Sequence, residues 1–492
     1  MRVRFLEQLS ADGDLQWFAS ALERVRSLPN ASDPSVASFL VADRSVTIAR
    51  APGRLDVMGG IADYSGSLVL EMPLACATFA VAQAQDARRL DVLSLRDGRR
   101  FQFGIELDEI ATGASSTPDT LADRFAAGAG DRWAAYVVGS VYRCLTLNAV
   151  APTHGLRVLI MSDVPEGKGV SSSAALEVAT MAATAASFDV EMDGVTLATQ
   201  CQWAENHIAR APCGIMDQMT SALGQRDRLL RLRCQPASVE GHVVVPEGYR
   251  FYGIDSGIRH AVSGSEYGTV RTAAFMGYRM IADLAGLTTT SDGNRARVQD
   301  DRWGGYLANI TPTELARDFV DWLPARIHGA QFLARYGGIT DTVTRVDPAR
   351  WYSVRQATSH PVHENERVAR FADLLSSGLD QPDAAVRMGA LMFESHASYS
   401  SCGLGSDGTD RLVDLVADVN PSEGLFGAKI TGGGSGGTVA VFGTEAARSA
   451  VHHIARQYEQ ETGVRAHVFD GSGPGAEQIG ILITRTAYDA RH

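Results

Sequence analysis

Apolar and polar positions alternate with two different periods along this chain. Residues 156–161 (LRVLIM) form a continuous apolar run, the pattern of a buried strand. Residues 174–188 (AALEVATMAATAASF) are a run of helix formers. Residues 45–51 (SVTIARA) alternate with the period of a strand, and residues 131–146 (DRWAAYVVGSVYRCLT) with that of an amphipathic helix. That helix puts Trp133, Tyr136 and Val137 on one face. A separate helix is expected over residues 195–209. Near the end, two strand patterns at 426–431 (FGAKIT) and 438–442 (TVAVF) flank a run of glycines. Residues 288–301 are polar and predict an exposed loop. Strands and helices are read as alternating up to about residue 263 and again beyond it, an α/β (α+β) chain. Its 492 residues are too many for one core and predict two packed lobes. Residues before about 44 read as a helical extension interrupted by a Ser/Pro/Asn linker.

Hydrophobic content of 45% and charged content of 21% are ordinary for a globular protein. The net charge of −12 gives no electrostatic reason to hold nucleic acid or an anionic membrane. Any anion site must therefore gather positive charge locally. No apolar run has membrane-spanning length, and the first residues lack a signal-peptide core. The six cysteines, Cys76, Cys144, Cys201, Cys213, Cys234 and Cys402, are scattered without metal-site spacing. They fit a reducing cytoplasm, and Cys213 reads as packing rather than as a nucleophile.

The junction between the 156–161 strand and the 174–188 helix carries chemistry. Residues 164–175 (VPEGKGVSSSAA) place Gly167, Lys168, Gly169, Ser171, Ser172 and Ser173 where a helix begins. Free N–H groups, the helix dipole and three hydroxyls make an anion site there, suited to a nucleoside triphosphate. The loop is not a Walker motif, because Gly169 follows Lys168 where Ser or Thr would be required. The glycine run at 432–437 satisfies G-x-G-x-x-G, but a strand follows it rather than a helix, which excludes a dinucleotide fold. It reads either as a hairpin covering phosphates or shaping the site, or as a purely structural turn.

Three segments in this order, 51–66 (APGRLDVMGGIADYSG), the serine loop, and 429–437 (KITGGGSGG), resemble the signature motifs of the GHMP small-molecule kinase superfamily, in its galactokinase branch. Residues 201–205 (CQWAE), 212–218 (PCGIMDQ) and 263–267 (SGSEY) extend the likeness, which runs from about residue 51 to the C-terminus. The resemblance implies a two-lobed fold with the active site in the cleft. Residues 45–262 would form a lobe like ribosomal protein S5, and 263–492 a ferredoxin-like lobe. It implies ATP and Mg2+ as cofactors. Asp217 would orient the acceptor hydroxyl and take its proton, with Arg54 holding Asp217 ionised and offsetting transition-state charge. Glu205 and Ser173 would hold the metal, with Ser172 an open alternative. Trp133 would stack on the adenine, and Gly433 and Gly434 would lie over the nucleotide. Arg54, Gly60, Ile61, Asp63, Gly214, Asp217 and Tyr267 would meet the sugar.

The departure from the galactokinase pattern concerns the sugar. That pattern reads Gly-Glu-His-Thr-Asp-Tyr where this chain has Gly59-Gly60-Ile61-Ala62-Asp63-Tyr64. In galactokinases the Glu and His lie around the C6 hydroxymethyl. Burying that hydroxyl unpaired against Gly60 and Ile61 would cost about 1–3 kcal/mol. L-Arabinopyranose has the ring configuration of D-galactose without that carbon. Residues 56–73, 166–175 and 400–413 also resemble L-arabinokinases, as does the insertion near 286–345. The resemblance thus implies ATP-dependent phosphorylation of L-arabinose at its anomeric hydroxyl. The alternatives are a galactokinase, a kinase for another pentose or a uronic acid, and an inactive sugar sensor. Retention of Arg54, Ser173, Glu205 and Asp217 argues against the sensor. A cytoplasmic monomer or weak homodimer is expected, without nucleic-acid or membrane partners.

Overall fold

The computed structural model describes residues 1, 3–5, 16–96, 99–128 except 112–116, 131–258, 265–292, 295–379, 381 and 383–485. The first eight strands are β1 (Val3–Phe5), β2 (Val46–Met58), β3 (Leu68–Gln85), β4 (Arg89–Arg96), β5 (Arg99–Glu106), β6 (Gly155–Ser162), β7 (Arg228–Arg233) and β8 (Ser238–Val244). β9 (Tyr249–Asp255) opens a second sheet. Two short hairpins follow, β10 (Thr289–Ser291) with β11 (Ala296–Val298) and β12 (Ile327–His328) with β13 (Trp351–Tyr352). The last strands are β14 (Leu425–Ile430), β15 (Thr438–Thr444), β16 (Val468–Asp470) and β17 (Ile481–Thr484).

The larger sheet runs β1-β17-β2-β3-β6-β4-β5, with β7 on β3 and β8 on β7. The long β3 serves two neighbours on one edge, β6 through Thr78–Gln85 and β7 through Leu68–Glu71. Every residue of β2 is buried, because both faces of the sheet are covered. Ala49 and Ala51 face a layer of helices that includes Ala134–Leu147, Ser172–Ser187, Gly194–Ala204 and Met216–Leu223. Val46 and Ile48 point the other way, onto Phe18, Leu22 and Val25 around the helix Ala19–Ser27. The segment before residue 44 is thus not helical throughout: β1 is an edge strand of this sheet, and the described helical turns within 19–37 roof one of its faces.

The second sheet runs β14-β15-β9-β16, antiparallel throughout. One face packs on the helices Asp407–Ala417 and Arg448–Thr462. The other shares a core with the first sheet, where Phe251, Phe442 and Phe469 meet Leu55, Val57, Leu70 and Met72.

Three expectations need correction. Strands and helices do not alternate from the start, since β2 to β5 follow one another as antiparallel neighbours or near neighbours before the first long helix. Residues 288–301 are not simply a loop; they hold the β10–β11 hairpin, in which Ala296 is buried and Val298 packs against the insertion's apolar cluster. No single cut in the chain separates the sheets. β17 sits between β1 and β2 in the first sheet, although it follows the whole second sheet in sequence. The insertion packs through Trp303, Phe319, Leu323 and Phe332 against the helix Ser265–Leu284. Among the described residues no helix is long and apolar enough to cross a membrane.

Candidate active site

The register between β2 and β3 slips between Pro52 and Arg54. At the slip the strand lies against the serine loop. A Cβ on Gly53 would come within 2.9 Å of both Val164 Cγ1 and the Val170 carbonyl, and the Arg54 N–H donates to that carbonyl at 3.0 Å. The loop turns through Gly167 and Gly169, both at positive φ, and Ser171 is itself left-handed at φ 59° before the helix Ser172–Ser187. The Ser171 hydroxyl is buried without a partner. Lys168 does not stand as a free positive charge: its ammonium pairs with Asp255 at 2.7 Å. Thr438 donates its hydroxyl to the Lys168 carbonyl, tying the loop to the second sheet.

Arg54 is 2% exposed and faces three carboxylates. Its Nε donates to Asp217 Oδ1 at 3.0 Å, and Nη2 makes a short contact with the same oxygen. Nη1 donates to the Gly169 carbonyl at 3.2 Å, and Glu71 lies 3.4 Å from Nε. Burial alone would lower the guanidinium pKa, but Asp217, Glu71 and Asp56 hold it above its usual value. Asp217 sits in the first turn of the helix Met216–Leu223, with its side chain 22% exposed. The arginine is thus sealed and the carboxylate presented.

Behind them lies a buried ion pair that joins two of the motif segments. Lys429 Nζ is 2.7 Å from Asp56 Oδ2, and both side chains are fully buried. Asp56 also accepts from the Gly60 N–H at 3.1 Å and the Gly432 N–H at 3.2 Å. Lys168 and Lys429 are the chain's only two lysines among 45 basic residues. That scarcity was the available signal for Lys429.

Glu205 ends the helix Gly194–Ala204 and begins a π-helical turn, Glu205–Ala209. Gln218 Nε2 donates to Glu205 Oε2 at 2.6 Å and to Glu177 Oε2 at 3.2 Å. Burial, then the charge of Asp217, pushes Glu205 up to about 7, while hydrogen bonds from Ser173, Cys213 and Gln218 pull it down. Glu177, another residue the sequence reading passed over, is raised well above its usual range by burial and by Glu205. Its Oε1 is buried and unpartnered. Glu205 and Ser173 supply hard oxygens beside the serine loop, a donor set whose chemistry suits a divalent cation. Among the described residues no group of three or more His, Cys, Asp or Glu side chains could hold a metal by itself.

The residues expected to meet the sugar gather on the far side of Asp217. A Cβ on Gly214 would overlap the Asp63 carboxylate. Tyr267 packs edge-on against Tyr64 at 5.7 Å, and Gly433 lies beside the Tyr267 ring. Gly434 instead packs on Leu404. Ile61 is fully buried in an apolar cluster, and its N–H donates to the Tyr399 hydroxyl. Trp133 lies apart, half-buried against Phe101 at 6.1 Å, with the Arg96 guanidinium 4.1 Å from the Phe101 ring. Arg96 pairs with Glu166, which links this aromatic group to the serine loop. Residues 263 and 264 of the expected SGSEY motif lie outside the described residues.

Arg271 completes this side. It donates to both oxygens of Asp341, at 2.8 and 2.9 Å, and to the Cys213 carbonyl at 2.9 Å. Both partners are buried. Asp341 belongs to the insertion, so that segment reaches the loop carrying Gly214.

Asp63 has one carboxylate oxygen buried and unpartnered. Burial, then Asp217, pushes its pKa from 3.8 up to about 7, with Arg271 opposing. The folded protein therefore keeps a proton that the unfolded chain releases near pH 4. This stabilising contribution is full below about pH 4 and is lost as pH rises to about 7. Melting curves of the ligand-free protein should contain this falling component, and Asp63→Asn should remove it. An identical pH profile in the variant would show that folding does not raise the Asp63 pKa.

A family model described as "GHMP kinases N terminal domain" matches residues 135–225. L-arabinokinase of Arabidopsis thaliana is 41% identical over 490 residues, covering 90% of this chain and 47% of that protein. The chain thus spans about half the length of that relative. Galactokinase of Chloroflexus aggregans (strain MD-66 / DSM 9485) is 32% identical over 418 residues, covering 85% of this chain and 89% of the relative. The solved structure of Lactococcus lactis galactokinase complexed with galactose superposes with a TM-score of 0.69 at 19% identity, over 93% of this chain and 98% of that one.

Proposed function

This chain belongs to the GHMP kinases, in the branch that contains the galactokinases, and from that premise we propose that it is an ATP-dependent sugar-1-kinase converting L-arabinose to L-arabinose 1-phosphate and ADP. The observation that carries the choice of sugar is the turn Gly60–Ser65. The backbone N–H groups of Gly60 and Ile61 are already used by Asp56 and Tyr399, and the Ile61 side chain is apolar and buried. The turn offers Asp63 as its acidic group and nothing polar at position 60 or 61 for an exocyclic hydroxymethyl. The Arabidopsis thaliana relative named L-arabinokinase supports the same choice.

The reaction asks mainly for positioning and charge neutralisation. Asp217 is aimed by Arg54 and accepts the proton of the anomeric hydroxyl as its oxygen attacks the γ-phosphorus. The new O–P bond forms as the bond from γ-phosphorus to the β–γ bridging oxygen breaks, and ADP carries away that electron pair. The serine loop offers N–H groups and hydroxyls to the phosphates, and the buried Arg54 offsets charge developing beside it. Mg2+, held by Glu205 and Ser173, would supply charge neutralisation at the phosphate oxygens. Trp133 and Phe101 give the base an aromatic wall. The six cysteines, none paired, support a reducing compartment such as the cytoplasm.

Release of ADP measured across a sugar panel tests the proposal. L-Arabinose should exceed D-galactose by roughly 10²-fold in kcat/KM, the discrimination an unpaired extra hydroxyl supports. Comparable values would replace the arabinose assignment with a broader galactokinase type. No ADP release with any sugar would point to the sensor.

The Arg271–Asp341 pair gives a separate expectation. Asp341→Asn frees Arg271 to shift from the Gly214 loop, so kcat/KM for the sugar should fall roughly 10–100-fold, with the KM for ATP little changed. An equal loss in both constants would mean that the pair only holds the fold.

A further inference from the structure

Position 60 has no room for any side chain. Its φ of 46° is left-handed, and an added Cβ would overlap the Tyr399 hydroxyl and lie 2.7 Å from both Tyr399 Cζ and Asp56 Oδ2. Crowding by the tyrosine, more than backbone conformation, excludes a side chain here, since Asn or Asp can adopt such a φ. The Tyr399 hydroxyl accepts from the Ile61 N–H at 2.7 Å and donates to the Gly432 carbonyl at 3.1 Å. One oxygen thereby joins the turn before Asp63 to the glycine loop. The ring is fully buried, with His360 edge-on at 5.1 Å and the Lys429 ammonium 5.2 Å from its centre. Its place is set by four separate elements.

We infer that Tyr399 is the residue that determines sugar specificity, acting as a positioning group: it occupies the volume a longer side chain at position 60 would need, and it holds the Ile61 wall and Asp63 in the geometry that suits a pentose. The inference rests on the sugar-kinase reading above. Its physical content is separable from that reading, because occupation of the space at position 60 can be measured without a sugar. With Tyr399 in place, the Gly60–Ile61 corner presents no polar group to an exocyclic CH2OH. With a smaller residue at 399, a carboxylate at position 60 gains room to do so.

Four variants test it: Tyr399→Phe, Tyr399→Leu, Gly60→Glu, and the pair Gly60→Glu with Tyr399→Leu. Melting temperature, ATP binding, and kcat/KM for L-arabinose and D-galactose are read for each. Gly60→Glu alone should lower the melting temperature sharply. Adding Tyr399→Leu should recover at least half of that loss and raise the galactose-to-arabinose ratio of kcat/KM by roughly tenfold over the parent. Tyr399→Phe keeps the ring and removes the tie. It should raise the KM for L-arabinose several-fold with kcat and ATP binding near those of the parent. A double variant no more stable than Gly60→Glu alone overturns the claim that Tyr399 fills this space. A galactose-to-arabinose ratio unmoved in the double variant overturns its role in specificity. A parent protein inactive on L-arabinose would count against the sugar assignment instead, and the stability comparison would still decide the placement of Tyr399.

Discussion

Asp217→Asn should abolish phosphoryl transfer and leave nucleotide binding close to that of the parent. Asparagine keeps the shape of the side chain but cannot take the proton of the attacking hydroxyl. Loss of a general base of this kind costs roughly 10²–10⁴-fold in rate. The fold should tolerate the change, because Asp217 is partly exposed and Arg54 retains Glu71 at 3.4 Å and the Gly169 carbonyl at 3.2 Å. The serine loop makes no use of Asp217, so its grip on phosphates is preserved. Single-turnover rates together with an ATP titration give the answer. A rate within tenfold of the parent would remove Asp217 from the chemistry.

The second large effect is on stability. Lys429→Met leaves Asp56 as a fully buried carboxylate that keeps the N–H groups of Gly60 and Gly432 and the nearby charge of Arg54 but has lost its ion-pair partner. Breaking a buried pair by removing one partner costs about 3–5 kcal/mol, whereas replacing both partners by uncharged groups is often close to neutral. Asp56→Asn combined with Lys429→Met should therefore be markedly more stable than Lys429→Met alone. Urea unfolding, read at its first transition because a chain of this size need not unfold in one step, measures both. A double variant as unstable as the single one would show that the lysine matters through its contact with the Tyr399 ring rather than through its pairing with Asp56.

Much of this site could be read before any coordinates. The serine loop falls between a strand and a helix as the pattern predicts, with β6 at Gly155–Ser162 and the helix at Ser172–Ser187. Such a junction is local: an apolar run, two glycines and a cluster of hydroxyls declare themselves within a dozen residues. The strands around the glycine run, β14 and β15, were legible for the same reason. What escaped notice is non-local. Gly60 stood out in the sequence but Tyr399 did not, and the sequence separation of 338 between Ile61 and Tyr399 hides the hydrogen bond that joins them. Asp341 lay in a segment with no motif and gains meaning only through Arg271. Glu177 looked like one of many helical glutamates. Its lack of solvent and of a partner for Oε1 is a property of packing. Lys429 lies inside the glycine-rich motif, and its role depends on Asp56, 373 residues away in sequence.

The position of β17 bears on how the protein is made. In the finished sheet this strand fills the gap between β1 and β2, pairing Ile481–Thr484 with Ala49–Val46 and with Val3–Phe5. A ribosome adding about 5–20 residues per second needs some tens of seconds to travel from β2 to β17. Throughout that time the edge of β2 that β17 will cover carries unpaired N–H and C=O groups on an apolar strand. Such an edge invites pairing with another nascent chain. Yield of soluble protein should thus depend on translation speed and on chaperones that shelter exposed strands, and a nonsense mutation just before Ile481 should produce aggregate rather than a shortened kinase.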